Sequence, residues 1–113
     1  VLDRRVGVVG NCVSGKTTLV NNLVAHGYHA INIPQEHSVS PRLWRRVAPD
    51  FLIYLSCTLT TAQQRRQIPW GQERLNEQWQ ILSDARENAN LVIETDALTA
   101  PQVLAKALEA LAQ

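Results

Sequence analysis

An α/β fold is what this sequence predicts: a three-layer α/β/α arrangement around a small parallel sheet of about four strands. Three observations carry it. Four short apolar runs, at residues 5–9, 29–33, 51–55 and 91–95, are bounded by polar or turn residues, the pattern of buried parallel strands. Segments of helical spacing fill the gaps between them, which calls for right-handed crossovers. A glycine-containing turn, Gly10-Asn11-Cys12-Val13-Ser14-Gly15-Lys16-Thr17, joins the first run to the first helical segment.

The elements follow in order. Val6-Gly7-Val8-Val9 forms the first strand, and Leu19, Val20, Leu23 and Val24 mark one face of a helix over 17–26 with Gly27 as its stop. After the second strand, Pro34-Gln35-Glu36-His37-Ser38 is a polar segment. Ser40-Pro41 predicts an N-cap and first-turn proline for a short helix over 42–48. Pro49-Asp50 ends it and launches the third strand. Thr58 or Thr60 caps a helix over 58–67, which Ile68-Pro69-Trp70-Gly71 breaks. A longer helix is expected over 72–90, with Leu75, Trp79, Leu82 and Ala89 inward. Thr99-Ala100-Pro101-Gln102 predicts a capping box, and the closing helix buries Val103, Leu104, Ala107, Leu108 and Leu111.

Composition bounds the function. The 113 residues suit one domain, 1–113, with 45% hydrophobic and 19% charged residues and a net charge of +1. So small a charge predicts neither a nucleic-acid nor a membrane partner, and no apolar run approaches spanning length. Arginine supplies nine of the eleven basic residues, and five of the nine lie between Arg42 and Arg66; arginine favours planar anions, phosphate among them. Cys12 and Cys57 show no metal spacing, and His26, His29 and His37 are too scattered to predict a metal site. With no export signal, the expected location is cytoplasmic, and a disulfide is not expected there. Methionine is absent and Val1 opens the chain, which predicts a trimmed amino terminus.

The turn at 10–17 carries the chemistry. It reads G-x-x-x-x-G-K-[ST] without departure, which is the phosphate-binding loop of P-loop NTPases. Gly10 and Gly15 let the backbone bend so that the amides of Asn11, Cys12, Val13, Ser14 and their neighbours face a triphosphate. The helix start adds free N–H groups at Lys16, Thr17 and Thr18. Lys16 is placed for the β- and γ-phosphates and the Thr17 hydroxyl for Mg²⁺. In a sheet of this type ligands bind beyond the carboxyl ends of the strands, which gathers loop 10–17, segment 34–38, residues 56–58 and residues 96–99. No D-x-x-G or N-K-x-D follows, so adenine is expected over guanine and ATP over GTP.

Beyond the loop the chain resembles nucleoside and nucleotide kinases, of the thymidylate-kinase-like and adenylate-kinase-like kind. Pro49-Asp50 with Phe51-Leu52-Ile53-Tyr54-Leu55, then Ala62, Arg65 and Arg66, looks like their PD-strand-A-x-x-R-R stretch. Ala89-Asn90-Leu91-Val92-Ile93-Glu94-Thr95-Asp96 with Leu98-Thr99 is similar to their closing strand and loop. The resemblance implies that Arg65 and Arg66 contact the transferring phosphoryl group, that the Asp96 to Leu98 loop lies against the adenine base, and that Glu36 orients Mg²⁺ waters or takes an acceptor proton. Arg42, Arg45 and Arg46 would hold an acceptor phosphate. The chain departs from the pattern in having only about seventeen residues between its second and third strands, Ser56 where an aspartate would end the third, and a lid reduced to residues 67–74. Two functions therefore stand: a minimal kinase-like phosphotransferase moving the γ-phosphoryl of ATP to a small acceptor, and a non-catalytic or slowly hydrolysing nucleotide-binding module. The sequence leaves the oligomeric state open.

Overall fold

A computed structural model describes residues 4–112. Four strands, β1 (Arg5–Gly10), β2 (His29–Asn32), β3 (Phe51–Ser56) and β4 (Leu91–Glu94), form one sheet. Its order is β2-β1-β3-β4 and every pairing is parallel. β1 and β3 are interior and buried on both faces, which is why they read as nearly continuous apolar runs rather than alternating ones. Register is set where the strands begin. The Arg5 amide donates to Asp50 Oδ2 at 2.8 Å and the Arg5 guanidinium to the Val47 carbonyl, so the residues that launch β3 also start β1. Asn90 pairs twice with Leu52 across the opening of β4.

The alternation of side chains along β1 and β3 splits the core in two. Val6, Val8, Ile53, Leu55 and Ile93 meet Leu19 and Leu23 of α1 (Lys16–Ala25) and Val103, Ala107 and Leu111 of α6 (Ala100–Leu111). On the opposite face Val9, Ile33, Leu52 and Tyr54 meet Trp44 of α2 (Leu43–Val47) and Leu82 and Ala85. Helices thus cover both faces of a parallel sheet, an arrangement compatible with three α/β/α layers.

Local signals account for most boundaries. α1 closes as expected at Gly27: the Tyr28 amide bonds to the Leu23 carbonyl and the Gly27 amide to that of Val24. Thr58 caps α3 (Leu59–Arg65). Thr99 and Gln102 form the reciprocal capping box of α6. Two expectations need correction. Ser40 does not cap α2; Arg42 occupies that position without a side-chain bond, and Ser40 instead accepts from Leu43 through its carbonyl inside a turn. The single helix expected over 72–90 is two, α4 (Gln72–Ile81) and α5 (Ser83–Asn88). The Ser83 hydroxyl donates to the Gln80 carbonyl at 2.9 Å and competes with the backbone ladder there. Among the described residues no helix is long and apolar enough to cross a membrane.

Candidate functional site

The carboxyl ends of β1 and β3 leave a notch that the 10–17 loop fills. Gly10 is required there by close approach. A Cβ on it would strike the Leu55 carbonyl oxygen and come within 2.7 Å of Ser14 Oγ. Gly15 is required for another reason. Nothing surrounds its Cβ position, but its φ of 105° is left-handed backbone that side-chain-bearing residues rarely adopt.

Four long-range ties hold the loop in shape. Asn11, fully buried, accepts from the Cys57 amide at 3.0 Å and donates back to the Cys57 carbonyl. Gln78 of α4, also buried, accepts from the Cys12 amide at 2.9 Å. Thr95 donates its hydroxyl to the Ser14 carbonyl at 2.9 Å. Arg65 of α3 donates to the Val13 carbonyl at 2.9 Å and to both Thr95 oxygens. Such a loop is pre-organised, so little conformational entropy remains to be lost on binding. Because the Cys12 amide is committed to Gln78, it is not available to a ligand. The amides of Lys16 and Thr17 open α1 and have no carbonyl partner within the helix.

Lys16 lies against its own loop, 8% exposed. Its ammonium donates to the Gly10 and Asn11 carbonyls, each at 3.1 Å, and pairs with Glu36 Oε2 at 2.5 Å. Glu36 is in the 3₁₀ turn Gln35–His37 that follows β2. Gln35 anchors this turn by accepting from the Trp44 amide at 2.8 Å and donating to the Ser40 carbonyl. The carboxyl edge therefore brings Glu36 to Lys16, as segment 34–38 was expected to lie there. Thr17 is exposed, and its hydroxyl accepts from Asn32 at 3.2 Å.

Two cavities meet at this loop. The larger, about 780 Å³, runs over Lys16, Thr17 and Thr18 and is walled by Glu36, by Arg65 and Arg66, and by residues 67–70. The smaller, about 200 Å³, lies between Ser14, Gly15, Thr18 and Leu19 on one side and Thr95, Leu98 and Val103 on the other. Gly15, Thr18 and Arg65 border both. The larger cavity is lined mainly by charged and polar side chains, and the smaller adds Leu19, Leu98 and Val103.

The other expected residues divide. Arg65 and Arg66 reach the cleft, although Arg65 spends three hydrogen bonds on the loop and on Thr95. Leu98 lines the small cavity. Asp96 does not: its carboxylate takes the Thr58 amide at 2.8 Å and the Thr58 hydroxyl at 2.9 Å. Burial opposes its charge, but these bonds and the Thr61 hydroxyl hold its carboxyl below the usual range. Arg45 is committed elsewhere, bidentate to Asp84 with both bonds at 3.1 Å and stacked on Trp44. Neither Arg42 nor Arg46 borders either cavity. Cys57 is a buried thiol pushed up by desolvation, consistent with a structural role.

Sequence reasoning missed Asn11 and Gln78 as anchors of the loop. A polar residue on the apolar face of α4, one position before Trp79, was the only available signal for Gln78. The spacing of the cysteines and the scatter of the histidines also predict no metal site, whereas Cys12 Sγ lies 3.3 Å from His37 Nε2. No protein-family model matches this chain, and no curated protein matches it.

Proposed function

We propose that this chain is a P-loop NTPase-type protein that binds ATP at the 10–17 loop and transfers its γ-phosphoryl group to a small acceptor in the same cleft. The observation that carries the reading is the convergence of Lys16, Thr17, Glu36, Arg65 and Arg66 on one cavity beside an intact G-x-x-x-x-G-K-[ST] turn.

The residues suit the ligand. Gly10 and Gly15 meet the steric demands of a loop wrapped round a polyphosphate, and the α1 start presents amides and a positive dipole end. Lys16 would leave the Gly10 and Asn11 carbonyls for the phosphates, and the released Glu36 carboxylate would face the acceptor side. There it can accept a hydroxyl proton. Arg66, with the Arg65 donors not spent on Val13 and Thr95, would stabilise charge on the transferring group. Hard oxygen donors on Thr17 and Glu36 fit Mg²⁺, which when bound supplies charge neutralisation at the β- and γ-oxygens. Leu98 and Val103 would give the adenine an apolar slot. The likeness to thymidylate-kinase-like and adenylate-kinase-like proteins supports the same reading.

One observation favours a non-catalytic module instead. Arg65 is already occupied as a strut between Val13 and Thr95. Calorimetry with ATP and Mg²⁺, followed by a screen of nucleosides, nucleotides and small sugars with labelled ATP, separates the two. The transferase reading requires ATP binding, a labelled product, and loss of that product in Arg66→Ala. ATP binding with no transfer to any acceptor leaves the module, and absence of ATP binding removes both.

A further inference from the structure

We propose that Cys12, Glu36 and His37 form a three-ligand site for a transition-metal ion of the Zn²⁺ class at the mouth of the 10–17 loop. Their ligand atoms all lie within 4.8 Å of one another. Cys12 Sγ is 3.3 Å from His37 Nε2, which is 3.8 Å from Glu36 Oε2. Metal–ligand bonds of ~2.0–2.3 Å at tetrahedral angles put neighbouring S, N and O donors roughly 3.3–3.6 Å apart. The Cys12–His37 spacing already lies in that range, and the His37–Glu36 spacing is slightly beyond it through Oε2, the oxygen that also carries Lys16.

A second, independent observation points to a missing partner. Glu36 is 6% exposed, and although Oε2 carries Lys16, its other oxygen, Oε1, is buried with no hydrogen-bond partner. Buried carboxylate oxygens are ordinarily satisfied, so a carboxylate with one oxygen on Lys16 and the other unpaired has acceptor capacity left for a cation. Both arms of the site are anchored. Gln78 holds the Cys12 amide, and Gln35 holds the turn that bears Glu36 and His37. His37 is exposed and Cys12 half-buried, both on the wall of the larger cavity, so an ion has a way in and a fourth position open to solvent. Thiolate and imidazole select Zn²⁺ or Co²⁺ over Mg²⁺. Binding forms the metal–sulfur bond as the Cys12 thiol gives its proton to solvent.

The site shares Glu36 and the wall of the larger cavity with the nucleotide reading, but it does not rest on that reading, and its test needs no nucleotide. The reduced full chain is titrated with Zn²⁺ by calorimetry and with Co²⁺ by absorption. One ion per chain is expected, with a thiolate-to-Co²⁺ charge-transfer band. Cys12→Ser should abolish the band. Cys12→Ser and His37→Ala should each weaken Zn²⁺ binding at least tenfold, and His26→Ala should leave it unchanged. No Zn²⁺ binding, or binding indifferent to Cys12 and His37, overturns the proposal. Unsubstituted protein gives a second readout: saturating Zn²⁺ should protect Cys12 from iodoacetamide, mapped by mass spectrometry, and equal alkylation with and without Zn²⁺ overturns it as well.

Discussion

Lys16 Nζ lies 2.5 Å from Glu36 Oε2, with both side chains more than nine-tenths buried. The lysine is thereby held down on its own loop by a carboxylate from beyond β2. Breaking such a pair on one side leaves an uncompensated charge. Glu36→Gln should lower the melting temperature and yet raise the affinity for ATP measured without Mg²⁺, by roughly the tenfold that ~1.4 kcal/mol represents, because the anion competing for Lys16 is gone. Thermal melts and calorimetry on the same samples check this. A fall in both quantities would mean that Glu36 is needed to hold the nucleotide.

Lys16→Ala should weaken ATP binding at least tenfold, about 1.4 kcal/mol for one charge-assisted contact. It also strands Glu36 and so destabilises the fold. The double variant Lys16→Ala/Glu36→Gln removes both charges. It should recover much of the stability without recovering ATP binding, which separates loss of a ligand contact from loss of structure.

Asn11 joins the loop to Cys57 from a fully buried position. Asn11→Ala leaves the Cys57 amide without that acceptor, a cost of about 1–3 kcal/mol. Denaturant unfolding should show it, with the slope unchanged if only the native state is affected.

The two loop glycines should fail differently. Gly15→Ala meets no neighbour and costs only the left-handed backbone penalty, about 1–2 kcal/mol. Gly10→Ala drives a methyl into the Leu55 carbonyl and must separate β1 from β3, so it should be the more damaging of the two. Equal melting temperatures for the two variants would contradict this.

Asp84 accepts from Arg45 and from Trp44 Nε1, and the Arg45 guanidinium foremost holds its carboxyl below the ordinary range. A carboxyl depressed in the folded state stabilises the fold above its unfolded value, about 3.9. That contribution fades as pH falls through the depressed value. Wild type should therefore melt above Asp84→Asn at neutral pH, and the gap should narrow below pH ~4.

The glycine turn, the buried strands and the capping threonines were legible because each is local. Gly10 to Thr17 is one contiguous motif, Val6 to Val9 one apolar run, and Thr99 with Gln102 a four-residue box. Helix 72–90 was misread because hydrophobic periodicity carries no mark for the Ser83 hydroxyl bonding back to the Gln80 carbonyl. The basic run at Arg42, Arg45 and Arg46 suggested a phosphate site, but Asp84, thirty-nine residues after Arg45, had already taken the central arginine.

By itself, the sequence determined the α/β layering, the 10–17 turn and its glycines, since these follow from backbone sterics and the period of apolar residues. Only the tertiary structure decided that Gln78 holds Cys12, that Glu36 lies on Lys16, and that Cys12 and His37 meet. Those contacts span from 20 to 66 positions of chain. Their strength depends on distance and burial after folding, and linear order encodes neither.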